Sequence, residues 1–176
     1  NQPLPTIQSH VFLQHSSVFL SVLQCTLRTP PQYNLDNIQN PSIHSLLSSK
    51  YHEAQMHRLN IHAEIPDPVI HNYLTDLDLA VVLGHLMDNA IDGARKASEG
   101  FISLAYFDEE DCQSFIIEST IAEEQVPLSM MSTQLPHPEG GIGVNAVQDI
   151  LERYPNTSFS VRSQNHKMMQ ILEMRP

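Results

Sequence analysis

The 176-residue chain is 41% hydrophobic, enough for one domain core with a helical appendage. Its 20 acidic and 9 basic residues give a formal charge of −11, which excludes a nucleic-acid surface or an anionic membrane face, because nothing would neutralise their phosphates. Cys25 and Cys112 lack the spacing of a disulfide framework or zinc site, apolar runs such as "VFLSVL" fall far short of the roughly 20 residues of a membrane helix, and no signal-peptide pattern opens the sequence, so a cytoplasmic setting is expected.

From Thr6 to Arg28 the residues Ile7, Val11, Val18, Val22 and Cys25 form the apolar stripe of a helix seeking a partner, ended by "RTPPQYN". A second helix starts at Pro41–Ser42 and carries Ile43, Leu46, Leu47 and Ala54 at helical spacing. Together they predict a hairpin over residues 1–60 that dimerises into a four-helix bundle. Residues 61–176 form the second predicted domain. There "IHAEI" alternates as a strand, Thr75 or Asp76 caps a helix running to about Ala97, and "FISLAYF" and "CQSFIIES" make a hairpin around "DEED". "TIAEEQVPLSMMSTQLPHPEGG" reads as a long loop of the functional-lid kind, followed by a helix from Val144 to Arg153 and a last hairpin of "TSFSVRS" with "KMMQILEM". This order predicts an α+β sandwich, a mixed sheet covered by helices on one face.

Within "LGHLMDNAIDGARKAS" the helix buries Leu79, Val82, Leu83, Leu86, Met87, Ala90, Ile91 and Ala94, which leaves His85, Asp88, Asn89 and Asp92 on the other side. Such a stripe by itself is most often a solvated helix face. Further on, Gly140, Gly141 and Gly143 lead into a helix, where backbone N–H groups attract phosphate. The Asn89 side-chain oxygen suits a magnesium ion, which prefers hard oxygen ligands and bridges phosphates. A single glycine run is a turn more often than a phosphate loop, but the joint occurrence of the two features across an irregular lid points to a metal–phosphate site.

"LGHLMDNAIDGA" resembles the N-box, and "GGIGVNAVQDILERY" the G2 box, of the GHKL (Bergerat-type) ATP-binding superfamily that includes sensor histidine kinases. "SLLSSKYHEAQMHRLNIHAEIPDPV" resembles the quorum-sensing, peptide-responsive kinases of the AgrC type, and the similarity spans about residues 38–176. The resemblance implies that Asn89 ligates magnesium, that Asp92, Gly140, Gly141 and Gly143 belong to the ATP site, and that Glu118 accepts a hydrogen bond from the adenine amino group. It also places His15 in "LQHSSVFL" as the candidate phosphoacceptor, with His10 second. His85 occupies the position where hydrolytic relatives carry a base. Several positions depart from the family pattern: Glu139 replaces the first glycine, Gln134 stands at a lysine's place, Ser16 follows His15 where an acid belongs, and the link between the first two helices is short.

The resulting expectation is the cytoplasmic catalytic portion of a two-component sensor histidine kinase. It would bind ATP with Mg2+, act as a homodimer through the helical hairpin, and relay phosphate from a histidine to a response-regulator aspartate. Nucleic acid is excluded as a partner, and membrane association enters only through a sensor region outside this chain. The departures motivate an alternative, a degenerate kinase-like binding or scaffold module, and His85 a third reading as a hydrolytic ATPase.

Overall fold

A computed structural model describes residues 35–125 and 144–176. The chain divides into two compact units, Asn1–Gln32 and Tyr33–Pro176, of which the first lies outside the described residues, together with the expected first helix, His10 and His15.

In the second unit, helix α1 spans Pro41–Met56. The Asn40 side chain caps it by accepting from the N–H groups of Ser42 and Ile43 at 2.9 and 3.2 Å, and Pro41 sits at the first helical position, where its missing N–H costs nothing. At the other end, Leu59 N–H donates to Ala54 and Arg58 N–H to Gln55, with Arg58 in the left-handed region at φ 59°. This is a Schellman closure, sealed by apolar contact between buried Leu59 and Ala54. Strand β1 (Asn60–Glu64) follows at once.

Helix α2 (Asp76–Lys96) begins at Thr75, whose hydroxyl accepts from Asp78 N–H at 3.3 Å. Acidic Asp76 and Asp78 in its first turn and basic Arg95 and Lys96 in its last complement the helix dipole. Strands β2 (Phe101–Glu109) and β3 (Cys112–Thr120) form the expected acidic hairpin. Helix α3 (Val144–Leu151) precedes β4 (Thr157–Gln164) and β5 (Lys167–Met174), which are joined by a two-residue turn in which Asn165 and His166 both have positive φ.

The sheet runs β1-β2-β3-β5-β4, with β1 and β2 parallel and every other pair antiparallel, which is the mixed sheet and α+β class the sequence predicts. Helix α2 lies over β2 and β3, with α1 and α3 against it. Ile102, Leu104, Tyr106, Phe115, Ile117, Leu172 and Met174 of the sheet share one core with Leu79, Val82, Leu83, Leu86, Met87, Ala90, Ile91 and Ala94 of α2. Tyr106 and Phe115, opposite each other on β2 and β3, stack edge to face at 5.3 Å.

The boundary at residue 60 falls inside the second unit, because Ile43, Leu47, Tyr51 and Ala54 of α1 are buried in the same core as α2. Tyr51 also donates its hydroxyl to Ile61 C=O at 2.9 Å, which ties α1 to β1. The apolar stripe of α1 is thus used within the unit.

Candidate functional site

The polar stripe of α2 is not one surface. Asp88 turns to α1, where Lys50 bridges it to Glu53. Partial burial alone would lower the lysine pKa, but its hydrogen bonds and charge attraction to Asp88 and Glu53 outweigh that and raise it. Asp88 is thus committed to holding two helices together. One position on, Asn89 turns to the sheet. Its Nδ2 donates to Gln170 Oε1 on β5 at 3.4 Å, and Gln170 Nε2 donates to Leu86 C=O of α2 at 3.1 Å. Asn89 Oδ1 accepts no hydrogen bond among the described residues.

His85 and Asp92 flank Asn89 one turn to either side, and all three are half-buried. His85 has no hydrogen-bond or ion-pair partner among the described residues, and Asp92 reaches only Arg95, at 3.7 Å. A turn beyond Asn89, Gly93 lies so close to the end of β3 that a Cβ there would meet Ile121 Cγ2 at 3.0 Å and Thr120 C=O at 3.4 Å. Beside it, Ser119 is fully buried with a hydroxyl that has no partner among the described residues. A buried hydroxyl without a partner costs about 1–3 kcal/mol, so it needs a reason to be there.

Glu118 does not join this group. Side chains alternate along a strand, and Ile117 pairs directly with Gln170, so Ile117 and Ser119 face α2 while Glu118 faces away. On that opposite face Glu118 is buried and accepts from Lys167 Nζ at 2.8 Å. The sheet thus stands between Glu118 and Asn89. Ser119 and Gln170, which sequence reasoning did not single out, are the β3 and β5 residues that turn to the site. Gln170 carried a faint signal as the one polar residue on the otherwise apolar alternation of Met168, Leu172 and Met174.

Helix α3 is pinned beside α2. Asp78, buried in the first turn of α2, accepts from Arg153 Nη2 at 2.7 Å and from the Tyr154 hydroxyl at 2.6 Å, just past the end of α3. These bonds, with Tyr154 the strongest contributor, hold the Asp78 carboxyl below its ordinary range. Gly140, Gly141 and Gly143, as well as Gln134 and Glu139 of the expected lid, lie outside the described residues, immediately before α3. The described residues contain no trio of His, Cys, Asp or Glu side chains placed to hold a metal, and none of their helices is long and apolar enough to cross a membrane.

Comparison with known folds agrees with this architecture. The catalytic domain of histidine kinase ThkA superposes with a TM-score of 0.63 at 13% identity, over 78% of this chain and 91% of that one. Histidine kinase AdeS of Acinetobacter baumannii gives 0.58 at 13% identity over 99% and 86% of the two chains. The histidine kinase domain of the blue-light activated kinase EL346 of Erythrobacter litoralis gives 0.55 at 12% over 73% and 56%. At such identities the likeness establishes the fold. No curated protein sequence matches the chain. The family model described as "GHKL domain" matches residues 74–175, from just before α2 to the end of β5. With its N-box helix over a mixed sheet and more than half its length under that model, the chain belongs to the GHKL domain family.

Proposed function

We propose that residues 33–176 form an ATP-binding catalytic domain of a sensor histidine kinase, with Asn89 as the residue that ligates Mg2+. The observation that carries this reading is the orientation of the Asn89 amide. Its nitrogen is committed to Gln170, and its oxygen has no partner among the described residues. A hard oxygen donor on a half-buried helix face fits magnesium, which takes few protein ligands and completes its shell with water and phosphate. Bound Mg–ATP supplies the transferable phosphoryl group.

The residues of the chain then have distinct tasks. Asn89 orients the phosphate-bound cation, and Gly140, Gly141 and Gly143 allow close backbone approach before the free N–H groups at the start of α3. In a chain of charge −11, backbone dipoles and the cation must receive most of the triphosphate charge. Ser119 offers a buried hydroxyl to the base, since a hydroxyl both donates and accepts. Asp92 and His85 border the cation site. Catalysis in this scheme is positioning and charge neutralisation.

His15 is the proposed phosphoacceptor, a response-regulator aspartate the next acceptor, and a second copy of the chain the partner through the N-terminal segment. The quorum-sensing, AgrC-like subtype, with a membrane-bound sensor elsewhere in the protein, is supported by the sequence around α1 and β1. The test is calorimetry of the full chain with a non-hydrolysable ATP analogue. Affinity enhanced by magnesium and lost in Asn89→Ala is expected, whereas equal affinity in both proteins refutes the assignment. Acid-labile label from γ-labelled ATP, absent in His15→Ala, tests the acceptor separately.

A further inference from the structure

Gln170 is a polar side chain, 1% exposed, in an otherwise apolar row of β5, and its amide admits only one orientation. Its Nε2 faces Leu86 C=O at 3.1 Å, and turning the amide over would set oxygen against oxygen. Oε1 is thereby presented to α2 one turn on, where it accepts from Asn89 Nδ2. The same argument then applies to Asn89: with an oxygen fixed on one side, its NH2 group must occupy that side and Oδ1 must point the other way. A helix carbonyl thus sets, through two amides in series, which atom of Asn89 is offered to a ligand.

We infer that Gln170 is a positioning residue that selects the oxygen-outward state of Asn89 and so makes the site receptive to a cation instead of an anion. Without it, the Asn89 amide is free to turn, and in half of its orientations an NH2 group meets the metal. This rests on the reading of Asn89 as a magnesium ligand. Groups of this kind orient ligands without touching the metal, and their loss typically costs about 10–100-fold in metal affinity.

The experiment uses the full chain with magnesium and a non-hydrolysable ATP analogue, and reads the ratio of nucleotide affinity with and without the metal. Gln170→Met, similar in length but without an amide, is expected to lose about 10–100-fold of that ratio while metal-free nucleotide affinity stays near wild type. In the wild-type chain without metal or nucleotide, the Asn89 side-chain NH2 protons should exchange slowly with solvent by NMR, a readout that needs no variant. Fast exchange there, or a Gln170→Met ratio equal to wild type, overturns the inference. If Asn89→Ala loses the metal enhancement while Gln170→Met keeps it, only Gln170 is misassigned. If Asn89→Ala keeps it too, or wild type shows none, the magnesium site itself falls with the inference.

Discussion

The Tyr154 hydroxyl donates to Asp78 Oδ2 at 2.6 Å across 76 residues of sequence, joining the end of α3 to the first turn of α2. The same hydroxyl accepts from Thr75 N–H at 3.2 Å, so one oxygen serves the N-cap of α2 and its buried carboxylate together. The helix expected to border the phosphates is held by this contact. Tyr154→Phe should therefore cost about 1.5–3 kcal/mol, the range for a hydrogen bond to a charged group, by urea denaturation. An unchanged midpoint would mean that Arg153 alone secures α3.

The same pair sets an acid limit. The folded-state pKa of Asp78 lies below the ordinary value of 3.8, and that of Asp76, which accepts from Asn40 and Asn72, is lowered as well. Depressed carboxylates add stability that is complete above the unfolded value and is lost as pH falls through the folded ones. Thermal midpoints should thus hold steady above about pH 5 and fall below 3.8. Asp78→Asn should flatten that fall, and an unaltered acid limb in this variant would exclude Asp78 as its source.

Lys50 and Asp88 carry a further prediction about α2. Asp88 sits next to the proposed metal ligand in sequence, yet its charge is spent on α1. Because Asp88 is 42% exposed, solvent screens the pair, and Lys50→Met should cost only about 1 kcal/mol. Asp88→Asn should leave magnesium-dependent nucleotide affinity within about twofold of wild type, a shift under 0.5 kcal/mol. A tenfold loss would assign Asp88 to the site.

Ser119 and Glu118 are adjacent, but they should behave as opposites. Ser119→Ala removes a buried hydroxyl without a partner among the described residues and should raise nucleotide-free stability by about 1 kcal/mol while weakening nucleotide binding, the trade-off expected of a functional group. Glu118→Gln alters only the far face of the sheet, where Lys167 is its partner, and should leave binding unchanged. Calorimetry on both variants decides, and the reverse pattern would restore Glu118 as the base contact.

At the turn after α1, Arg58 holds a left-handed φ of 59° that glycine adopts freely. Arg58→Gly should stabilise the fold by roughly 0.5–1 kcal/mol without touching the site, measured as a higher thermal midpoint. A lower midpoint would show that the arginine side chain makes contacts worth more than the strain.

Much of the architecture was legible because its signals are local. The stripe from Leu79 to Ala94 is a property of consecutive residues, as are the Thr75 cap, the acidic β2–β3 turn and the short last hairpin, and each element lies where the pattern places it. Asn89 was legible for the same reason, as an amide on the polar side of an amphipathic helix. β3 was not so readable. Seven consecutive residues from Gln113 to Ser119 are buried, so no alternation tells which of Glu118 and Ser119 turns to the helices. A shift of one residue exchanges the faces, and only pairing with β5 settles it.

By itself, the sequence determined the order of elements, the mixed α+β class and the helix that carries Asn89, because periodicity and capping act over a few residues. Tertiary structure decided what those elements meet. An apolar stripe does not name its partner, so the place of α1 against α2 emerged only in the folded core. Likewise, Asn89 meets Gln170 across 81 residues and Asp88 meets Lys50 across 38, and such distant contacts exist only once the sheet and helices have closed on one another.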